Sequence, residues 1–246
     1  MKTILITNDD GIYGQGLEPL VRELKKIARV YVVVPDQERS GAGHSMTLHS
    51  PLRVHKLNAY TYLVNGTTAD CVRYGARRLF KGKIDLVVSG VNAGPNLAQD
   101  VVYSGTVAGA REGALLNIPS FAVSAGQWEK ADFKLCARVS VGIAKILLTK
   151  RLPIDTFLNV NVPHKIKGYR VTKLGKRIYD EEIDSRKDPT GREYYWLAGK
   201  FISGVDAPGT DIEAVNHGYV SITPLELSPT ATHLMGELKR WISVLS

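Results

Sequence analysis

Short runs of Val, Ile and Leu alternate with helical segments along the first two thirds of the chain, and this alternation constrains the fold most strongly. The predicted strands are the five apolar runs 2–7, 30–34, 84–88, 119–124 and 157–162. The predicted helices, which lie between them, are 16–27, 68–80, 106–117 and 132–148. Continuously apolar strands separated by helices predict an α/β protein, namely a Rossmann-like three-layer α/β/α fold with a mostly parallel sheet.

The character of the sequence changes after about residue 165, where short strands are separated by charged turns. The pattern predicts strands over 169–176, 194–202 and 219–224, and an amphipathic helix over 230–245. We interpret residues 1–165 as a Rossmann-like core and 166–246 as a strand-rich extension that is not an independent domain. Within the extension, residues of about 176–200 form a predicted hairpin arm. Earlier in the chain, residues 52–64 also predict a hairpin.

Charge and cysteine content limit the classes of function. Lys and Arg number 32 against 24 Asp and Glu, so the net charge is +8 and favours anionic ligands. Basic runs are short and interspersed with acidic residues, so we do not expect a nucleic-acid polymer as partner.

Cys71 and Cys136 lack CxxC spacing, which favours buried thiols. No leader or membrane-length apolar run is present, and we expect a cytoplasmic protein without membrane association.

Two adjacent carboxylates, Asp9 and Asp10, follow the first predicted strand, while Ser40 and Asn92 follow the second and third. The carboxyl ends of parallel strands meet at one edge of a sheet, so these side chains are expected to converge. Oxygen donors of this kind suit Mg²⁺ or Mn²⁺, and a cation would offset the repulsion within the acidic pair. In the alternative, one Asp caps the next turn and the other is solvated.

A second polar motif precedes the helix at 106–117. Ser104 can cap this helix, Gly105 permits close approach, and the first-turn amides around Thr106 would then face an anion such as phosphate. Asn96, in the loop before it, can donate to a phosphoryl oxygen. Taken alone, the motif also fits an ordinary capped helix, and the Asn-rich loop also fits a simple turn.

The loop after the second strand contains two further polar candidates. Arg39 can pair with phosphate, although such an Arg is more often a solvated charge. His44 can donate a proton, but the sequence reveals no partner that would orient its ring, so we do not predict a catalytic role for it.

A phospho-receiver switch also begins with a strand that runs into an acidic pair holding Mg²⁺. That class needs an acceptor Asp at the tip of the third strand, where this chain has Ser89 and Gly90. Haloacid-dehalogenase-like phosphatases use a DxD pattern, whereas Asp9 and Asp10 are adjacent. The receiver-like module, which retains one phosphate and does not turn over, is therefore the alternative to an enzyme.

Five motifs in order carry a resemblance to a known family: TNDDG (7–11), PDQERSGAGHSMT (35–47), GTTADCV (66–72), SGVNAGPN (89–96) and YSGTVAGAREGA (103–114). With GYVSITPL at 218–225, the chain resembles over essentially its whole length the SurE family of survival proteins, which are metal-dependent nucleotidases. Thr68 departs from the family's usual Pro, a difference that concerns the start of a helix more than the chemistry.

The resemblance implies a phosphatase for nucleoside 5′- and 3′-monophosphates that also trims short polyphosphate in some members. It implies dimers or tetramers in which the hairpin arm and terminal helix contact a neighbouring copy. One divalent ion per subunit, Mg or Mn, is implied at Asp9, Asp10, Ser40 and Asn92. Phosphate contacts are implied at Asn96, Ser104, Gly105 and Thr106. The expected catalytic residues are Asp9, Asp10 and Asn96.

Two chemistries stay open. In one, a water molecule attacks the phosphate and Asp9 or Asp10 orients it or accepts its proton. In the other, Asp9 attacks directly and an aspartyl-phosphate forms.

Overall fold

A computed structural model of the protein describes residues 1–81, 83–180, 182–197 and 201–243. Its centre is a nine-stranded sheet with the strand order β3-β4-β2-β1-β5-β6-β7-β13-β8. These strands are β1 (Thr3–Thr7), β2 (Arg29–Pro35), β3 (Val54–Asn58), β4 (Thr61–Val64), β5 (Leu86–Asn92), β6 (Ser120–Ala125), β7 (Thr156–Val162), β8 (Gly168–Val171) and β13 (Tyr219–Glu226). The remaining strands are β9 (Arg177–Tyr179), β10 (Asp184–Lys187), β11 (Glu193–Trp196) and β12 (Phe201–Gly204).

The sheet is mostly parallel, as the sequence predicts. The neighbours β4, β2, β1, β5, β6 and β7 all pair in parallel, whereas β3 is antiparallel to β4, and β13 is antiparallel to β7. β8 pairs in parallel with β13 at the other edge of the sheet. The parallel strands therefore end together at one edge, where open α/β sheets bind ligands.

Helices cover both faces of the sheet. The α-helices are α1 (Leu17–Leu24), α2 (Thr68–Tyr74), α3 (Gly105–Leu115), α4 (Phe133–Leu147), α5 (Asp211–Asn216) and α6 (Met235–Ile242). Along β1, Ile4 and Ile6 belong to the core that α1 and α4 cover, while Leu5 belongs to the core beneath α2. This alternation follows from the two-residue period of a strand. It confirms the three-layer α/β/α prediction.

Small residues let α3 lie close to the sheet. A Cβ built at Gly109 would lie 2.5 Å from Ser89 Oγ and 2.9 Å from Thr7 Cγ2, at the ends of the two central strands. The amino end of α3 is thereby held near the carboxyl ends of β1 and β5.

The extension is continuous with the main sheet, since β13 and β8 complete it. Two antiparallel pairs, β10 with β11 and β9 with β12, lie outside this sheet. The first forms a hairpin within the predicted arm. Among the described residues of α6, none is buried. No helix in the described ranges is both long and apolar enough to cross a bilayer.

Several predicted boundaries differ from the structure. β5 continues to Asn92 rather than ending at residue 88, because the small residues Ser89 and Gly90 fit between β1 and β6. The helix predicted over 68–80 is α-helical only to Tyr74 and continues as a π-helical turn over Gly75–Leu79.

The strand predicted over 194–202 is wrong as one element, because its ends belong to β11 and β12 in different sheets; residues 198–200 lie outside the described residues. The terminal helix predicted over 230–245 is shorter, with a 3-10 turn at Thr232–Leu234 before α6. Residues 244–246 lie outside the described residues.

Candidate metal and phosphate site

Three neighbouring strands bring the predicted metal ligands to the same edge of the sheet. Thr7 of β1 pairs with Ser89 of β5, so Asp9 and Asn92 leave adjacent strand ends. The loop after β2 is joined to this point because the amide of Arg39 donates to the carbonyl of Asp9 over 2.8 Å. Ser40 is the next residue along that loop. The sheet thus places side by side the chain segments that carry Asp9, Asp10, Ser40 and Asn92, and their joint binding of an ion remains a prediction.

Asp9 lies against the amino end of α3. It is 4% exposed, and Thr106 Oγ1 donates a hydrogen bond to Asp9 Oδ1. A Cβ built at Gly105 would lie 2.8 Å from both Cβ and Oδ2 of Asp9, which explains why this position needs glycine. The carboxylate of Asp9 therefore faces the positive end of a helix, where a negative charge is stabilised.

Burial changes the acidity of the two carboxyls. Desolvation raises the pKa of Asp9, while the hydrogen bonds from the Thr106 hydroxyl and backbone amide oppose the rise. Burial raises the pKa of Asp10 to about 6, and the charges of Asp9 and Glu38 add to this effect. The ionised pair is thus electrostatically unfavourable in the protein by itself.

Glu38 is a further carboxylate near Asp9 and Asp10, and it was not among the predicted site residues. Its Oε1 accepts a hydrogen bond from Ser40 Oγ over 2.9 Å, and its charge acts on both Asp9 and Asp10. Its position three residues after the end of β2, in the loop that holds Ser40, was the available signal.

The donor set fits a hard divalent cation. None of the ion pairs between described residues includes Asp9 or Asp10, although their charges are close together. Among the residues that the structure describes, acidic, His and Cys side chains do not by themselves form a group of three that could hold an ion. The hydroxyl of Ser40 and the amide oxygen of Asn92 would have to complete such a set. Asn92 Nδ2 donates to the carbonyl of Gly94 over 2.8 Å, which leaves Oδ1 for a cation.

The predicted phosphate residues at the start of α3 have different surroundings. Ser104 is the N-cap, and its Oγ accepts a hydrogen bond from the amide of Val107 over 3.0 Å. Gly105 presents its backbone next to Asp9. The hydroxyl of Thr106 is directed to Asp9 rather than to open space. Their contact with phosphate remains a prediction, and the structure adds a second task, the support of Asp9.

Asn96 is 7% exposed and is held by side chains from two strands. Its Nδ2 donates to Ser124 Oγ of β6 over 2.8 Å. Its backbone amide donates to Asn161 Oδ1 over 2.9 Å, and its carbonyl accepts from Asn159 Nδ2 over 2.8 Å. Asn159 and Asn161 were not among the predicted site residues, although two amides on one face of an otherwise apolar strand were a visible signal.

His44 has an orienting partner that the sequence did not reveal. Its Nε2 lies 3.0 Å from Oε2 of Glu112, whose side chain is fully buried in α3. Arg73 Nε of α2 lies 2.7 Å from Glu112 Oε1. The contact between His44 and Glu112 fastens the Ser40 loop to α3. A second contact supports it, because the amide of Gly43 donates to the carbonyl of Tyr103, just before α3, over 3.0 Å.

The base of the hairpin arm is fastened to the segment that leads to Ser104. Gln99 Nε2 donates to the carbonyl of Arg177 over 2.6 Å, and Gln99 Oε1 accepts from the Arg177 amide over 2.9 Å. Asp100 accepts hydrogen bonds from the side chains of Arg177 and Tyr179. The arm and the amino end of α3 are thus parts of one connected structure.

Fold and site together define a class: a doubly wound α/β protein with an acidic, oxygen-donor site facing a helix amino end at the carboxyl edge of its sheet. A family model described as "Survival protein SurE" matches residues 4–181. A "5'-nucleotidase SurE" of Heliobacterium modesticaldum is 46% identical, with 97% of this chain and 91% of the relative covered. The "5'-nucleotidase SurE" of Aquifex aeolicus is 45% identical, with 97% and 98% covered. The crystal structure of the Aquifex aeolicus SurE protein superimposes with a TM-score of 0.85 at 45% identity, covering 97% of this chain and 99% of that one.

This chain belongs to the SurE family.

Proposed function

We propose that this protein is a metal-dependent phosphatase that hydrolyses nucleoside 5′- and 3′-monophosphates to nucleoside and phosphate, with short polyphosphate as a further substrate. The observation that carries the proposal is the position of Asp9, which lies both beside Asp10 and against the amino end of α3. A carboxylate pair and a helix amino end at one point suit a cation and a phosphate that share a site. The relatives named 5'-nucleotidase SurE, at 45–46% identity, support the same activity.

The cofactor in this proposal is one divalent ion per subunit, Mg²⁺ or Mn²⁺, held by Asp9, Asp10, Ser40 and Asn92. Such an ion would supply positive charge to a phosphate oxygen and lower the pKa of a nearby water. Glu38 contributes charge and orients Ser40 through its hydrogen bond.

The protein's own groups would then perform the remaining tasks. Asp10, next to the proposed cation, is placed to orient the attacking water or to accept its proton. We place the oxygens of the phosphate against Asn96 and the Ser104–Thr106 segment, with the Gly105 amide as backbone donor, because the amides of Ser104 and Thr106 donate to the carbonyl of Asp100 and to Asp9. Loss of one such donor typically costs about 3 kcal/mol of barrier. Thr106 acts through Asp9, whose carboxylate it keeps in place.

The alternative, a receiver-like switch, has less support. Its acceptor carboxylate would have to lie at the carboxyl end of β5, where the described residues are Ser89, Gly90, Val91 and Asn92. Because no side chain of that strand end can form an acyl phosphate, we infer an enzyme that turns over.

The proposed assembly is a homodimer or homotetramer. In α6, with the turn before it, Leu234, Leu238 and Trp241 are 41%, 45% and 59% exposed on one apolar stripe. Such a stripe on an amphipathic helix needs a covering surface. We also propose a cytoplasmic location, supported by Cys71 and Cys136, which are both unpaired and buried.

The test is a phosphate-release screen across nucleoside monophosphates, short polyphosphate and an aryl phosphate, each with several divalent ions. We expect chelation to abolish turnover and Mg²⁺ or Mn²⁺ to restore it. Asp9→Asn and Asp10→Asn should stay folded and lose both turnover and metal affinity. The matched control is Asp206→Asn, since Asp206 is an exposed Asp before α5.

Full turnover in chelator would refute the metal dependence. Retention of a single phosphate per chain, without further release, would support the switch instead of the enzyme.

A further inference from the structure

Trp128 is a large aromatic side chain that the proposed chemistry does not use. It follows β6 at the same edge of the sheet as the candidate site, and it is 67% exposed. An exposed indole offers a large flat aromatic face that a ligand can cover.

The indole lies on Gly94. A Cβ built there would be 1.9 Å from Cε2, 2.2 Å from Cζ2 and 2.4 Å from Cδ2 of Trp128. Cε2 and Cδ2 are the two atoms shared by both rings, so a neighbour nearest to them approaches a ring face and not the rim. One face of the indole is therefore seated on the glycine backbone, and the large exposed area belongs to the opposite face and the rim.

Gly94 ties the indole to the candidate site. It lies midway between Asn92, a proposed metal ligand, and Asn96, a proposed phosphate contact. Asn92 Nδ2 donates to the Gly94 carbonyl over 2.8 Å, and Asn96 is fixed to Ser124 of β6 over 2.8 Å. The indole thus rests on the middle of the loop whose two ends carry these groups.

The surface next to the indole also carries hydrogen-bonding groups. A recess of about 370 Å³ is lined by Gln127, Trp128, Glu129 and Lys130. An amide, a carboxylate and an ammonium group together provide both donors and acceptors, as the polar rim of a nucleobase requires.

We propose that Trp128 is a specificity-determining residue whose exposed face stacks on the base of a nucleoside monophosphate while the phosphate lies between Asn92 and Ser104. This inference rests on the proposed nucleotidase function. Stacking on an indole accepts every base, because each base has a π-face. The residue therefore selects nucleotides over phosphate esters without an aromatic group, and selects weakly among bases.

The test compares two substrates in the full-length protein with Mn²⁺: AMP, and glycerol 2-phosphate, which has no aromatic group. Trp128→Ala is expected to raise KM for AMP about tenfold with little change in kcat, and to leave glycerol 2-phosphate hydrolysis unchanged. Trp128→Phe keeps an aromatic face and should recover most of the affinity for AMP. Tyr169→Ala, on the edge strand β8 and 60% exposed in the wild type, is the matched control.

Fluorescence gives a second measurement that does not depend on turnover. The chain contains three Trp residues, and adenosine is expected to quench the wild-type emission. Trp128→Phe should remove that quenching. An equal loss of activity on both substrates would mean that Trp128 only supports the loop, and unchanged KM for AMP would mean that it makes no base contact; either result overturns the inference. If the wild type hydrolyses neither substrate, the proposed function itself is refuted.

Discussion

Replacing Asp10 with Asn is expected to stabilise the metal-free protein at neutral pH, although it removes a proposed functional group. The pKa of Asp10 is raised from 3.8 to about 6, first by burial and then by the charges of Asp9 and Glu38. A carboxyl with a raised folded-state pKa favours folding while it is protonated, below about pH 3.8. That contribution is lost as the pH rises through about 6, where the buried group becomes charged.

The magnitude follows from the same values. A rise from 3.8 to about 6 corresponds to about 3 kcal/mol against the charged form, since one pKa unit is 1.36 kcal/mol. Asp10 is only partly buried, and solvent screening reduces the expected gain for Asp10→Asn to about 1–2 kcal/mol at pH 7.5. In a chain of this length, that gain raises the Tm by about 2–8 °C. The gain shrinks towards zero as the pH approaches 3.8.

The assay is urea unfolding in the presence of chelator, at pH 4.5 and at pH 7.5, for the wild type, Asp10→Asn and the control Asp206→Asn. Mg²⁺ is then added back. A cation that binds only the folded state at 100 times its Kd stabilises the wild type by about 2.7 kcal/mol, and this response should be much smaller in Asp10→Asn.

A wild type that is more stable than Asp10→Asn in chelator at pH 7.5 would contradict the expected cost of burying this charge. So would a difference in unfolding free energy that is the same at both pH values.

Three further substitutions test the surroundings of the site. Gly105→Ala places a Cβ 2.8 Å from Asp9 Oδ2, so it should lower stability by about 1–3 kcal/mol and impair phosphate release; wild-type turnover would contradict this packing. Thr106→Val removes a hydrogen bond to buried Asp9 and should cost about 1–3 kcal/mol in thermal unfolding, whereas Thr106→Ser should cost less. Glu112→Gln weakens the contact with His44 and should speed limited proteolysis within residues 36–50; an unchanged cleavage rate would show that this contact does not hold the loop.

Much of the architecture was predictable because strands and helices have local periodicities. The run Ile4-Leu5-Ile6 is apolar at every position, and in the structure its residues divide between two cores on opposite faces of the sheet. A strand buried on both faces belongs inside a parallel sheet. The hairpin at 52–64 was predictable from its short alternating stretches, and it is observed as the antiparallel pair β3 and β4.

The boundaries were less predictable where packing, and not local pattern, decides them. The pattern predicts a loop from Ser89 and Gly90 onwards, but both residues continue β5 in the structure. They can do so because they are small enough for the limited space between the neighbouring strands. A Cβ at Gly90 would lie 2.2 Å from the carbonyl of Val123 on β6. Which strand lies next to Gly90 is decided by the sheet order and not by the residues around it.

Local patterns along the chain were enough to predict the order of strands and helices and the position of Asp9, Asp10 and Asn92 at or after strand ends. Since parallel strands end at a common edge, that order already implied that these groups would converge. Contacts between distant segments were not predictable in this way: Thr106 supports Asp9, Glu112 orients His44 from 68 residues away, and Asn159 and Asn161 hold Asn96. The raised pKa of Asp10 belongs with these contacts, because desolvation depends on what surrounds a carboxyl in space and not on its neighbours along the chain.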